Sequence, residues 1–121
     1  MPKDISHIID KFISEVKKIL GKRINKIILY GSYARGDYNK DSDVDIMILT
    51  DLTDAEIVEY REKIWELSAD IELDTGIIIS PLLKNTEKFE SWIEVLPFYM
   101  NVMKDGVVLI GKENKQWFSK L

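Results

Sequence analysis

Two short runs of mostly branched apolar residues lie close together in the first half of the chain. One is I-N-K-I-I-L-Y, from Ile24 to Tyr30, and the other is V-D-I-M-I-L, from Val44 to Leu49. Runs of this length that are bounded by Gly, Ser and Asp are typical of buried strands. The sequence therefore predicts two strands that pair with each other and are joined by an irregular polar loop over residues 33–42.

Helical patterns flank this pair of strands. Apolar residues recur every three or four positions between Asp4 and Leu20, which predicts an amphipathic helix that Gly21 ends. Thr53 is the expected cap of a second helix over about Asp54–Asp70. Each helix would pack one apolar stripe against the strands.

A third strand is expected over Gly76–Ser80, with a start as early as Glu72 left open, and Pro81 restricts further pairing unless the strand lies at a sheet edge. Two short helices, a brief strand V-V-L-I and a terminal helix after Gly111 follow. This order indicates an α+β (mixed α/β) fold, with the helices on one side of a small sheet. A single domain over residues 1–121 accounts for the whole chain.

Composition narrows the chemistry. The chain has no cysteine and one histidine, which excludes a thiolate zinc site, a thiol nucleophile and a metal site built from histidines. A formal net charge of −4 argues against an extended grip on long nucleic acid. The apolar runs are too short for a secretory signal or a membrane span, so we expect a cytoplasmic protein with no membrane partner.

The candidate chemistry lies in the segment G-S-Y-A-R-G-D-Y-N-K-D-S-D-V-D. Asp43 and Asp45 are two apart, so in a strand both carboxylates point to one face and can share one or two cations. Gly31 and Ser32 directly follow the first strand, where a backbone without a β-carbon can approach phosphate. Arg35 adds a guanidinium suited to phosphate or to a neighbouring carboxylate. Each feature alone is more often a solvated strand face, a turn or a surface ion pair, but their joint spacing favours a metal and phosphate site.

The motif G-S-Y-A-R-G followed by S-D-V-D-I resembles the signature of the DNA polymerase beta-like nucleotidyltransferase superfamily, and most closely its minimal nucleotidyltransferase branch. The resemblance implies a small mixed sheet flanked by helices that binds ATP or another nucleoside triphosphate with two Mg²⁺ ions. By position, Gly31 and Ser32 would hold the β- and γ-phosphates, and Asp43 and Asp45 would ligate the metals.

Two further residues of the motif receive roles from the same resemblance. Arg35 would steady the loop or contact phosphate, and Ser42 would orient the Asp43 carboxylate or cap the loop. Acceptor attack on the α-phosphorus would then release pyrophosphate.

Active relatives carry a third acidic residue on a later strand. Asp70, Glu72, Asp74 and Gly76 share parity, and Asp74 is nearest the expected strand, so we predict Asp74 as the third metal ligand. In the alternative alignment, Gly76 occupies the position of the family's third aspartate. In that case the site lacks a ligand, and catalysis would be weak or lost while nucleotide binding survives.

The partner is also inferred from resemblance. Minimal nucleotidyltransferases resemble the antitoxins of two-gene modules that transfer AMP from ATP to a tyrosine hydroxyl of a HEPN ribonuclease toxin. The alternative is a module that keeps the fold and neutralises a partner by contact. Transfer to a small molecule such as an aminoglycoside is disfavoured, because the chain has no room for an acceptor domain. The base selectivity and the oligomeric state, including a homo-oligomer, stay open.

Aromatic and soft apolar residues in the last third of the chain have two interpretations: they complete the core, or they form a partner-binding surface. They are Trp92, Phe98, Tyr99, Met100, Met103, Trp117 and Phe118.

Overall fold

The computed structural model describes residues 3–111, and within them the chain forms four strands and five helices. The first half of this range contains α1 (Lys3–Leu20), a 3-10 turn (Gly21–Arg23), β1 (Ile24–Tyr30), α2 (Ser32–Arg35) and β2 (Val44–Thr50). The second half contains α3 (Asp54–Thr75), β3 (Ile79–Asn85), α4 (Thr86–Trp92), α5 (Pro97–Asp105) and β4 (Val107–Ile110). The expected terminal helix, with Trp117 and Phe118, lies outside the described residues.

The sheet has the strand order β3-β2-β1-β4. β1 is antiparallel to both β2 and β4, whereas β2 and β3 are parallel and are joined by the α3 crossover. Parallel neighbours need a connection of this kind, and a long helix supplies it. The predicted mixed sheet flanked by helices is therefore confirmed.

The helices cover both faces of the sheet, so the prediction that they lie on one side is wrong. β1 and β2 carry buried apolar side chains on both faces of the sheet, so helices must pack against each face. α1 and α3 pack on one face, where Phe12 and Val16 are completely buried. α4 and α5 pack on the other face through residues that include Phe89 and Met103.

The predicted cap of α3 is confirmed and forms a reciprocal capping box. The Glu56 backbone N–H donates to the Thr53 hydroxyl at 3.2 Å, and the Thr53 N–H donates to the Glu56 carboxylate at 3.1 Å. The Arg23 guanidinium also donates to Glu56, at 2.8 Å. This anchors the start of α3 to the segment that precedes β1.

The third strand begins later than predicted. Residues from Glu72 to Thr75 continue α3, since Ile71 is buried against the sheet and the helix ends only at Gly76, where φ is +76°. β3 then includes Pro81, which stands opposite Ile46. An edge strand tolerates a residue without an N–H, and β3 is at the edge of the sheet that the described residues form.

Candidate active site

Asp43 and Asp45 lie at the start of β2, beside the end of β1. Asp43 directly precedes the strand and is exposed, while Asp45 is half-buried and stands opposite Tyr30 of β1. Val44 and Ile46 point the other way and are completely buried, as predicted. Strand alternation thus places both carboxylates on the face that α4 and α5 cover.

Asp43 and Asp45, the acidic pair, repel each other when both are ionised. Burial raises the pKa of Asp45, and the neighbouring Asp43 charge raises it further, against the opposing effect of Arg35. Burial, together with the Asp45 charge, also raises the pKa of Tyr30 to about 12. A bound cation would relieve this repulsion, because an opposite charge favours the ionised carboxylates.

Gly31 brings the loop after β1 against Asp45. Its backbone has φ +74° and ψ −154°, a region used almost only by glycine. A β-carbon built at this position would overlap the Asp45 Oδ2 atom. The loop then turns through α2, in which the Ala34 and Arg35 N–H groups both donate to the Gly31 carbonyl at 3.1 Å.

A cavity of about 370 Å³ opens at this point. Tyr30, the candidate phosphate-binding residues Gly31, Ser32 and Arg35, and Asp45 line one part of it. The structure therefore brings together most of the residues that the motif singled out.

The second part of the cavity wall comes from α5 and was missed from the sequence. Phe98, Asn101, Val102 and Asp105 line it. The spacing of Phe98, Asn101 and Asp105 places them on one side of a helix, and this was the available signal. Nothing in the sequence indicated that this side meets β1.

Ser42 closes the loop before β2. Its hydroxyl accepts a hydrogen bond from the Asn39 N–H at 2.9 Å, and its own N–H donates to the Asn39 carbonyl at 3.1 Å. The geometry corresponds to the loop-capping alternative, since the hydroxyl that contacts Asp43 belongs to Ser80. Arg35 forms an exposed ion pair with Asp37 at 3.2 Å.

Asp74 is not brought to the acidic pair. It lies exposed in the last turn of α3, because the segment expected to start a strand is helical. Gly76 ends that helix and is also outside the sheet. Within residues 3–111 no group of three acidic, histidine or cysteine side chains is arranged to hold a metal.

The residue that faces the pair from β3 is Ser80. It stands opposite Asp45 in the parallel ladder, and its hydroxyl donates to Asp43 Oδ2 at 3.4 Å. A hydroxyl thus occupies the sheet position from which a third carboxylate could reach the pair. Two carboxylates still suit Mg²⁺, which binds one or two protein carboxylates together with substrate phosphates.

Residues 9–109 match the sequence model of the nucleotidyltransferase domain family. The chain belongs to this family. Two relatives of this nucleotidyltransferase come from Methanocaldococcus jannaschii and are provisionally named protein adenylyltransferases, MJ0604 and MJ0141. The first is 37% identical over 101 residues, which span 84% of this chain and 93% of the relative. The second is 33% identical over 96 residues, spanning 79% and 95%.

Solved structures share the fold of this nucleotidyltransferase. A toxin–antitoxin crystal structure with AMP-PNP has a TM-score of 0.56 at 20% identity, covering 91% of this chain and 78% of the other. A double Asp-to-Glu mutant of the toxin–antitoxin pair MntA-HpeT has a TM-score of 0.53 at 17% identity, covering 89% and 79%. The resemblance drawn from the sequence motif is therefore confirmed for family and fold.

No helix within residues 3–111 is both long enough and apolar enough to cross a bilayer.

Proposed function

We propose that this nucleotidyltransferase is an antitoxin that transfers AMP from ATP, with Mg²⁺, to a hydroxyl of a HEPN-type toxin. The observation that carries the proposal is that Asp45, two residues after Asp43, meets the Gly31–Ser32 turn at one cavity. The names of the archaeal relatives and the toxin–antitoxin neighbours support the reaction and the class of partner.

The chain supplies donors for the phosphates on one wall of the cavity. The Ser32 hydroxyl and the Arg35 guanidinium can both donate to phosphate oxygens, and Gly31 keeps the backbone close to them. Asp43 and Asp45 would hold Mg²⁺, which would neutralise triphosphate charge and stabilise the nucleotidyl group during transfer. Ser80 orients the Asp43 carboxylate through its hydrogen bond.

The transfer itself is a substitution at the α-phosphorus. The acceptor hydroxyl oxygen forms a bond to this phosphorus, and the bond to the bridging oxygen of the β-phosphate breaks. Pyrophosphate leaves with the electron pair, and the hydroxyl proton passes to water. The product is an AMP ester of the partner.

The test is transfer of label to the protein encoded by the neighbouring gene. The full chain is incubated with Mg²⁺ and ATP labelled at either the α- or the γ-phosphate. We expect the partner to gain α-label but no γ-label, and Asp43→Asn to abolish the transfer. Asp70→Asn, an exposed substitution on α3, is the matched control and should transfer normally.

Transfer of the γ-label would indicate a kinase-type reaction and would overturn the proposal. Equal transfer by Asp43→Asn and Asp70→Asn would remove Asp43 from the site.

The second candidate is a module that keeps the fold and neutralises its partner by contact, without catalysis. It is favoured by Ser80, which faces the acidic pair where a third carboxylate could stand. A protein of this kind would bind the partner tightly and transfer no label. Ser80→Asp distinguishes a weak enzyme from an inert one: the added ligand should increase α-label transfer in a weak enzyme and leave an inert module without any.

A further inference from the structure

The α5 wall presents three chemically different side chains to the cavity. Phe98, Asn101 and Asp105 supply an aromatic ring, a carboxamide and a carboxylate from one side of the helix. An α-helix rises about 10 Å over these seven positions. The wall is therefore extended along the cavity, with a different kind of contact at each end.

Charge determines which part of a nucleoside triphosphate can meet this wall. Asp105 is a second carboxylate in the cavity beside Asp45, whereas Ser32 and Arg35 supply donors on the other wall. A carboxylate repels phosphate oxygens but accepts hydrogen bonds from sugar hydroxyls. The phosphates therefore belong with Ser32 and Arg35, and the Asp105 wall is left for the nucleoside.

The sheet register gives the order along the wall. Val107 at the start of β4 pairs with Leu29, so the end of α5 lies beside the part of β1 that leads to Gly31. Asp105 is at this end of α5, and Phe98 is about two helical turns away. The Asp105 end of the wall is therefore left for the sugar, and the Phe98 end, beside the Tyr30 ring, is left for the base.

Phe98 is exposed enough for a planar group to reach its ring. The residue is 45% exposed although it lines the cavity. Its ring centroid lies 5.7 Å from that of Tyr30 with the planes at 87°, and 5.8 Å from that of Tyr99 with the planes at 55°. Neither of these two rings stacks parallel on Phe98, so neither takes the position that a stacked planar base would need. Asn101 is exposed and forms no side-chain hydrogen bond within residues 3–111.

We propose that α5 is the nucleoside-recognition wall of this site. Phe98 stacks on the base, Asn101 hydrogen-bonds the base edge, and Asp105 accepts a hydrogen bond from a ribose hydroxyl. The substrate class is a ribonucleoside triphosphate, selected against nucleotides that lack the ribose hydroxyls. This inference rests on the proposed function, because it requires the phosphates to occupy the Ser32 and Arg35 wall.

Calorimetric binding to the full chain with Mg²⁺ tests the wall, using ATP, 2′,3′-dideoxy-ATP and inorganic tripolyphosphate as probes. The wild type should prefer ATP to dideoxy-ATP by about tenfold or more, the effect of one hydrogen bond to a charged group. Asp105→Ala should reduce this preference to about twofold or less. Asp105→Ala also removes repulsion between the carboxylate and the phosphates. ATP and dideoxy-ATP have equal charge, so this change affects both affinities equally and cancels in their ratio.

Phe98→Ala should weaken ATP binding by about fivefold or more, the effect of losing one base–aromatic stack, and leave tripolyphosphate binding unchanged. Phe98→Trp should keep ATP affinity. Two exposed residues outside the cavity, Trp92 and Asp70, give the matched controls Trp92→Ala and Asp70→Ala, which should change neither measurement.

The tripolyphosphate probe separates this inference from the proposed function. If the wild type fails to bind Mg²⁺ and tripolyphosphate, or if Asp45→Asn binds them as well as the wild type, the proposed phosphate and metal site is wrong. If the phosphate site is present but Asp105→Ala keeps the full ribose preference, or Phe98→Ala keeps ATP affinity, the nucleoside wall is wrong.

Discussion

Replacing Gly31 with alanine should damage both the fold and the site, in amounts that can be measured separately. The backbone at φ +74° and ψ −154° is strained for any other residue, at a cost of about 1–3 kcal/mol. For 121 residues the entropy of unfolding is about 0.25 kcal/mol/K, so Tm should fall by about 4–12 °C. The added β-carbon would also displace the Asp45 carboxylate, with which it overlaps.

Displacement of Asp45 should weaken binding of Mg²⁺ and ATP by about 10–100-fold, the usual effect of losing the support that orients a metal ligand. At a ligand concentration of about 100 times the wild-type Kd, binding stabilises the fold by about 2.7 kcal/mol. This corresponds to a rise in Tm of about 11 °C. A variant that binds about 30-fold more weakly should gain only about 3 °C.

Thermal unfolding with and without Mg²⁺ and ATP gives both quantities for each variant. Gly76→Ala is the matched control: its φ is also positive, at +76°, but no atom lies within 4 Å of the added β-carbon. It should lose about 1–2 kcal/mol of stability and keep the full ligand-induced rise in Tm. If Gly31→Ala also keeps the full rise, the close approach of Gly31 does not position Asp45, and the reasoning fails.

Three further predictions concern charge, capping and packing. Asp45→Asn should raise Tm at neutral pH without metal, because the native site raises the pKa of Asp45 and the ionised carboxylate therefore destabilises the fold. The gain in Tm should shrink as pH falls through that raised pKa, since the wild-type carboxyl is then protonated. An unchanged Tm would contradict the assigned repulsion. Thr53→Ala should cost about 1 kcal/mol, or about 4 °C in Tm, whereas Thr53→Ser should restore the cap; equal losses would show that the hydroxyl is not the cause. Phe12→Ala should cost about 3–5 kcal/mol in denaturant unfolding, and a loss below about 1 kcal/mol would show that its buried position is not well packed.

The parts of the structure that could be predicted are those that local sequence specifies. β1 is bounded as predicted because its apolar run is short and ends at Gly31, and the Thr53 cap is confirmed because a capping box needs only neighbours in the chain. The acidic pair and the turn beside it lie within fifteen residues of each other, so the motif contains their relation.

The parts that could not be predicted depend on contacts between distant segments. In the segment through Asp74 the local signal was Gly76, a typical helix-ending residue, but the sequence did not show that Ile71 is buried and extends the helix to that glycine. Ser80 faces Asp45 only through the parallel register of β2 and β3. Asp105 reaches the cavity because β4 pairs with β1, more than seventy positions earlier in the chain.

The edge position of β3 has an evolutionary consequence. Within residues 3–111, Ser80 belongs to a strand with a single neighbour. It is only partly buried, whereas Ile79 and Leu83 on the other face are buried in the core. A mutation that exchanges hydroxyl and carboxylate at Ser80 would therefore change the charge of the site without disturbing that core. If Asp43 and Asp45 hold a metal as proposed, we expect that a change of this one codon can add or remove a third carboxylate while the core is kept.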